Sequence, residues 1–347
     1  VSPATPGAAG QDQSEVFRGV SPQQASRRAT GKGIAAASIP AFVAGAELAD
    51  LAETDPRIVV LTADLASANR LAEFGGRHPD RFIDFGIAEK NMITAAAGLA
   101  STGLIPFAGT FASFAALLGM EQIRTDCAYP GMPVRILAHH SGISLGFYGT
   151  SHHALEDLAA MRAVAGLVVA CAADGNQLRA MLRASLDVPG AMYIRLGRGR
   201  DPEVYPAVPD PFAFGQAARL RDGNDATIIA TGSQVHPSLI AAEILAGRGC
   251  SVRVVDMHTI KPLDVGEVIA AATETAAVVT VEEHNVIGGL GGAVAEVLAD
   301  RRLSVPFRRH GINDEYALIG PPSDLYAHYR LDGPGIAAVV AETCGLP

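Results

Sequence analysis

No block of lysine and arginine stands out in the 347 residues, and no basic stretch is interleaved with aromatic side chains. The 27 basic residues are outnumbered by 36 acidic ones, leaving a net charge of −9, which argues against a nucleic-acid binder. Long apolar runs are missing too. The longest weakly polar stretch, 33–48, is interrupted by Ser38 and Pro40 and falls short of a bilayer span, so a membrane protein is not expected. The four cysteines, Cys127, Cys171, Cys250 and Cys344, lie far apart and form no Cys-x-x-Cys pair. Neither a zinc site nor a disulfide framework is indicated, and a reduced, cytoplasmic protein is expected. Also absent are Gly-x-x-x-x-Gly-Lys-Ser/Thr and a His-x-x-x-His pair. A phosphate loop and a helix-borne zinc site thus lack their minimal parts.

What is present is α/β in form. Residues 1–32 are rich in Ala, Ser, Gly, Pro and Gln with no apolar period, and read as a disordered tail. Beyond them, short β-branched runs alternate with alanine-rich amphipathic stretches, the sequence form of mainly parallel sheets covered by helices. Strands are expected over 58–62, 105–109, 134–138, 167–171 and 192–196. Helices are expected over 42–53, 89–101, 114–128, 154–164 and 176–186. Four prolines within 201–211 suit an extended crossing segment rather than a helix or inner strand. The alternation then restarts, with strands over 227–230, 252–256 and 278–281. Two modules follow, over 33–200 and 213–347, joined by a linker over 201–212.

Open α/β sheets bind ligands beyond the carboxyl ends of their strands. Asp64 follows the first strand, Glu89 opens a helix, His139 and His140 end the strand at 134–138, and His152 and His153 follow a glycine-bearing loop. Glu89 is either an exposed acid favoured by the helix dipole or a functional carboxylate. The histidines are either polar loop residues or a site. The run Gly288-Gly-Leu-Gly-Gly is read as a tight strand-to-helix turn rather than a dinucleotide loop, and Asp174 as a helix cap rather than a cation ligand.

Several motifs then resemble one family. Arg81-Phe-Ile-Asp-Phe-Gly-Ile-Ala-Glu89-Lys-Asn-Met, Thr110-Phe-Ala-Ser-Phe114 and the His140 to His152 spacing look like the pyrimidine-binding half of transketolase. Asp64 in Thr-Ala-Asp-Leu-Ala-Ser-Ala-Asn matches a further segment, and the run from Val279 through Gly292 resembles the start of the family's C-terminal domain. The resemblance implies a thiamine-diphosphate-dependent enzyme that transfers a two-carbon ketol unit from a ketose, phosphorylated or not, to an aldose. It implies that Glu89 hydrogen-bonds N1′ of the cofactor's pyrimidine, that Phe111 and Phe114 stack on that ring, and that Asp64 lines the cofactor side. His152 would contact the donor's reacting hydroxyl and carbonyl region and His140 its phosphate end. Arg195 or Arg198 would bind that phosphate.

Departures from the family pattern bear on the substrate. Tyr148 stands where the family has an acid that reads a sugar hydroxyl, Ala68 replaces a serine, and Leu117 replaces an aromatic. A branched or otherwise modified sugar is therefore within the expected range. The chain also has no Gly-Asp-Gly, the motif that holds Mg²⁺ and the diphosphate. An N-terminal transketolase subunit is expected to bring both, in an α2β2 assembly with the cofactor across the interface. Three rivals share features with this reading: the β subunit of a 2-oxoacid dehydrogenase, deoxyxylulose-phosphate synthase (normally one long chain), and a non-catalytic scaffold subunit.

Overall fold

The computed structural model describes residues 40–198 and 201–346. The tail expected over 1–32 lies outside the described residues. Two sheets organise the rest. The first has seven strands in the order β10-β5-β6-β4-β3-β1-β2, and the second five in the order β12-β11-β8-β9-β7. In the first, β1 (Ile58–Thr62), β2 (Phe82–Asp84), β3 (Ile105–Phe111), β4 (Arg135–His139), β5 (Val168–Cys171) and β6 (Met192–Arg195) are parallel. Strands β1, β3 and β4 are buried along their whole length, which is why β1 and β3 read as nearly continuous apolar runs rather than alternating ones. The second sheet comprises β7 (Ala218–Arg221), β8 (Ala226–Ala230), β9 (Val252–Asp256), β11 (Val278–Asn285) and β12 (Phe307–Ile312), parallel except for β7.

The modules are not separate beads. Strand β10 (Thr259–Lys261), which follows β9, pairs antiparallel with β5 at the edge of the first sheet. One apolar cluster runs from Met92 and Ile136 in the first module to Val255 and Leu290 in the second.

Differences from the sequence expectation have physical causes. Strands β2, β7, β10 and β12 are short or charged edge strands without an apolar run; Arg308 and Arg309 of β12 are exposed. The helix expected over 114–128 is broken into Phe114–Leu118, Met120–Gln122 and Ile123–Ala128. At the first break, a Cβ on Gly119 would lie 2.3 Å from Ile93 Cδ1 and 2.7 Å from the Ala115 carbonyl oxygen, so this close approach needs glycine. The helix expected from 154 starts at Asp157, because Ala154 is engaged in a bridge with Gly142. Strand β11 continues past Val281 through Glu282, Glu283 and His284, all buried. Glu282 accepts the N–H groups of Leu290 and Gly291, at 2.7 and 2.8 Å, where helix Leu290–Asp300 begins. The Gly288 segment is thus a strand-to-helix turn whose free amides are taken by a carboxylate from its own strand. Asp174 caps helix Gly175–Ser185 by accepting the Gln177 N–H at 2.8 Å, and its other oxygen accepts the N–H groups of Val204 and Tyr205.

Candidate active site

The carboxyl ends of β1 to β4 bring together most of the residues singled out from the sequence. Register aligns Thr62 of β1 with Asp84 of β2 on one side and Gly109 of β3 on the other, so residues 64, 86 and 111 emerge at one edge. Asp64 is exposed and has a positive φ of 58°, a backbone region to which Asp is better suited than most residues. Its N–H donates to Asp84 Oδ1 at 2.9 Å, and the Gly86 N–H donates to the same oxygen at 3.0 Å. Asp84, to which the sequence reading assigned no role, thereby shapes the turn that leads into Glu89.

Glu89 begins helix Glu89–Ser101 but is only 6% exposed, so it is not the solvated first-turn acid of the simpler reading. Among the described residues its carboxylate receives a single long contact, from Thr110 Oγ1 at 3.5 Å. A buried carboxylate with most of its acceptor capacity free is suited to a ligand that presents donors.

The aromatic residues converge. The rings of Phe111 and Phe114 lie 5.6 Å apart, Phe111 and His140 4.4 Å, Phe114 and His152 5.2 Å, and Tyr148 and His152 4.8 Å. His140, like Asp64, has a positive φ of 57°, at the point where the chain leaves β4. Burial, followed by the charge of Arg198 and the neighbouring His152 and Arg70, pushes the His140 pKa down to about 3. Burial and His140 do the same to His139, also to about 3. Burial lowers the pKa of His152 as well. At neutral pH the cleft therefore presents neutral imidazoles, each able to donate one hydrogen bond and accept another.

The two arginines divide. Arg195 is 4% exposed and committed to the interior: Nε donates to Asp157 Oδ2 at 2.7 Å, and Nη2 donates to Asp157 Oδ1 and to the carbonyls of Ala154 and Glu283. Of the two arginines expected to offer a phosphate contact, Arg195 thus has its guanidinium in a buried ion pair at the module junction. Arg198 is half-buried and close enough to His140 to act on it electrostatically.

Comparison with known proteins agrees with this geometry. The family model described as transketolase, pyrimidine binding domain, matches residues 41–202, and the transketolase C-terminal domain model matches 215–336. The chain belongs to the transketolase family. It is 43% identical over 300 residues to a putative transketolase C-terminal section of Methanocaldococcus jannaschii, covering 86% of this chain and 94% of that protein. It is 42% identical over 295 residues to a 6-deoxy-6-sulfo-D-fructose transketolase subunit of a Clostridium species, covering 85% and 91%. A solved structure of a split-gene transketolase, an inactive β4 tetramer, superposes with a TM-score of 0.79 at 41% identity, covering 88% of this chain and 97% of that one.

Membership of the transketolase family implies dependence on thiamine diphosphate, and the residues present suit its pyrimidine. A buried carboxylate with free acceptor capacity stands beside two phenylalanine rings, matching a flat heterocycle that has a ring nitrogen to be bonded. Further buried polar atoms without a partner among the described residues lie at or near these strand ends: Thr62 Oγ1, the Asn69 amide, Ser113 Oγ, both ring nitrogens of His139 and Nδ1 of His140. Among the described residues no cluster of three His, Cys, Asp or Glu side chains could hold a metal ion, and no helix is long and apolar enough to cross a membrane.

Proposed function

We propose that this chain combines with an N-terminal, diphosphate-binding transketolase subunit to form an enzyme that moves a two-carbon ketol unit from a ketose donor to an aldose acceptor. The observation that carries this reading is the convergence of Glu89, Phe111, Phe114, His140 and His152 at one set of strand ends in a transketolase-family chain. When bound, thiamine diphosphate would supply the carbon nucleophile for a ketose carbonyl. Glu89 holds a proton at the pyrimidine N1′, Phe111 and Phe114 give the ring an apolar seat, and Asp64 lines its side. His152 and His140, being neutral, exchange hydrogen bonds with sugar hydroxyls. Arg198 supplies the positive charge for an anionic sugar end, a charge that His140 does not carry at neutral pH.

A partner is supported by the surface around this cleft. Ile87, two residues before Glu89, is 84% exposed, and Ile83, Leu117 and Leu118 are exposed beside it in sequence or next to Phe114. Exposed apolar side chains flanking a buried functional carboxylate suit a covering subunit. The inactivity of the β-only relative points the same way. We assign Mg²⁺ and its ligands to that subunit, the assembly to α2β2 and the location to the cytoplasm. The working domain limits are 33–200 and 213–347 with a linker over 201–212. Tyr148, 61% exposed with its ring tilted against that of His152, occupies the place of a hydroxyl-reading acid, which supports a modified ketose as donor.

The test is reconstitution. The chain alone is expected to bind thiamine diphosphate poorly by calorimetry with Mg²⁺ present and to transfer no ketol unit. Adding the N-terminal subunit restores both, and a panel of plain, phosphorylated and sulfonated ketoses identifies the donor. Tight, Mg²⁺-dependent binding by the chain alone would overturn the shared-site reading.

A further inference from the structure

His140 and His152 sit at either end of one excursion of the chain between β4 and helix Asp157–Ala163, and the neck of that excursion is closed from the second module. Gly142 and Ala154 form an isolated antiparallel bridge, with N–H···O distances of 3.2 and 3.0 Å. Just inside it, the Ile143 N–H donates to Glu283 Oε1 at 2.7 Å, a contact between residues 140 apart in sequence. Glu283 is 1% exposed at the end of β11, and its carboxylate is fixed on both oxygens: the Tyr326 hydroxyl donates to Oε1 at 2.9 Å and the Ser233 hydroxyl to Oε2 at 2.6 Å. Its approach is so close that a Cβ on Gly142, which has a positive φ of 61°, would lie 2.2 Å from Glu283 Cδ. A second tie, from the Gly320 N–H to the Gly146 carbonyl at 3.0 Å, comes from the same module.

We propose that Glu283 is a positioning residue for ketol transfer: from the C-terminal module it fixes the neck of the 142–154 loop and so sets the placement of His152 relative to His140 and the phenylalanines. This inference rests on the reading of those histidines as substrate contacts. It gives the C-terminal module a part in the reaction without any contact with cofactor or substrate. A buried carboxylate that accepts three hydrogen bonds and lies against a glycine leaves the loop little room to drift. Small displacements of groups that orient a substrate are costly in rate.

The reconstituted complex tests it through Glu283→Ala and Glu283→Gln. The amide of glutamine keeps an oxygen for Ile143 and Tyr326, whereas alanine leaves all three donors unpaired. Glu283→Ala is expected to lower kcat/KM by about tenfold or more, mainly through a higher KM for the donor, with thiamine diphosphate affinity within about twofold of wild type. Glu283→Gln is expected to recover most of that loss. Amide exchange read by mass spectrometry on the same complexes should speed up over 142–154 for alanine and not for glutamine. Wild-type kinetics and exchange in Glu283→Ala, or equal losses in both variants, would overturn the proposal. If Glu283→Ala does not assemble, Ser233→Ala combined with Tyr326→Phe takes its place, with a smaller shift in the same direction expected and no shift counting against the proposal. His152→Ala is measured alongside: full activity there would sink the substrate-contact reading, while the exchange data would still decide whether Glu283 holds the loop.

Discussion

The strand-end cleft and the junction between the modules are both buried and both rich in polar groups, yet they treat those groups in opposite ways. In the cleft, among the described residues, Glu89 has one long contact, and both ring nitrogens of His139, the Asn69 amide and Thr62 Oγ1 have no partner. At the junction, Asp157 accepts from Arg195 and Tyr193, and Glu283 accepts from Ile143, Ser233 and Tyr326. A buried polar group without a partner costs about 1–3 kcal/mol, so a chain that leaves several together is shaped for something that arrives later. The junction shows what the same chain does where nothing is to arrive. Polar groups of the first kind read as a site and those of the second as a frame, and burial alone does not separate them.

The largest expected effect lies on the site side. Glu89→Gln in the complete complex should slow exchange of the cofactor's C2 proton by about 10²–10⁴-fold, the usual contribution of a positioned acid or base. Thermal unfolding of the chain should barely change, because the carboxylate gives up only one 3.5 Å contact. Proton exchange at the wild-type rate, followed by NMR, would remove Glu89 from its role. A large loss of stability would move it from the site to the frame.

Asp157→Asn is the converse. The Asp157–Arg195 pair is 1% and 4% exposed at the side chains, and Asn removes the carboxylate bonded to the buried guanidinium, leaving it only the charge of Glu283 nearby. Breaking one partner of such a pair costs about 3–5 kcal/mol, a loss to be read in urea or thermal unfolding of the purified chain. A variant as stable as wild type would mean that Arg195 finds another partner and that the junction is less fixed than its geometry indicates.

How much of this was legible in the sequence follows the same division. Ile-Val-Val-Leu-Thr at 58–62 announces a fully buried strand, and the helix from Glu89 to Ser101 has the expected limits. Strand β12 was not legible, because an edge strand can place Arg308 and Arg309 in solvent and so shows no apolar run. Strand β11 is legible only to Val281, since charges normally end a buried run, and here Glu282 and Glu283 are hydrogen-bonded by N–H and hydroxyl donors that only the fold supplies. The cleft residues proposed here sit in short motifs whose members lie close in sequence. Glu283 and Asp157 work through partners far along the chain; the one advance signal was the unusual Val-Glu-Glu-His run itself. Arg195 and Arg198, three residues apart, were interchangeable in sequence and became distinct only when Arg195 was seen paired to Asp157.

The smallest expected effect is a slope, and it tests whether unpartnered His139 and Asp256, which accepts on one oxygen only, differ in sign as well as in wiring. Burial and the neighbouring His140 lower His139 to about 3, far below its ordinary 6.5. The unfolded chain therefore takes up a proton there before the folded one does, and the stability His139 contributes is complete above pH 6.5 and lost as pH falls from 6.5 toward 3. Asp256 runs the other way. Burial raises its carboxyl to about 7 against the opposing hydrogen bonds from Tyr205 and Gln177, so its contribution is complete below about 3.8 and lost as pH rises from there through 7. Each group changes the slope of unfolding free energy against pH by at most about 1.4 kcal/mol per unit, with opposite sign. Between pH 4 and 6.5, His139→Gln should make stability rise less steeply with pH, and Asp256→Asn, which keeps an acceptor for Tyr205, should make it rise more steeply. Urea midpoints at half-unit steps of pH measure both. Slopes that move together, or not at all, would mean that neither group titrates as its burial dictates, and the contrast between an open site and a closed frame would then rest on hydrogen bonding alone.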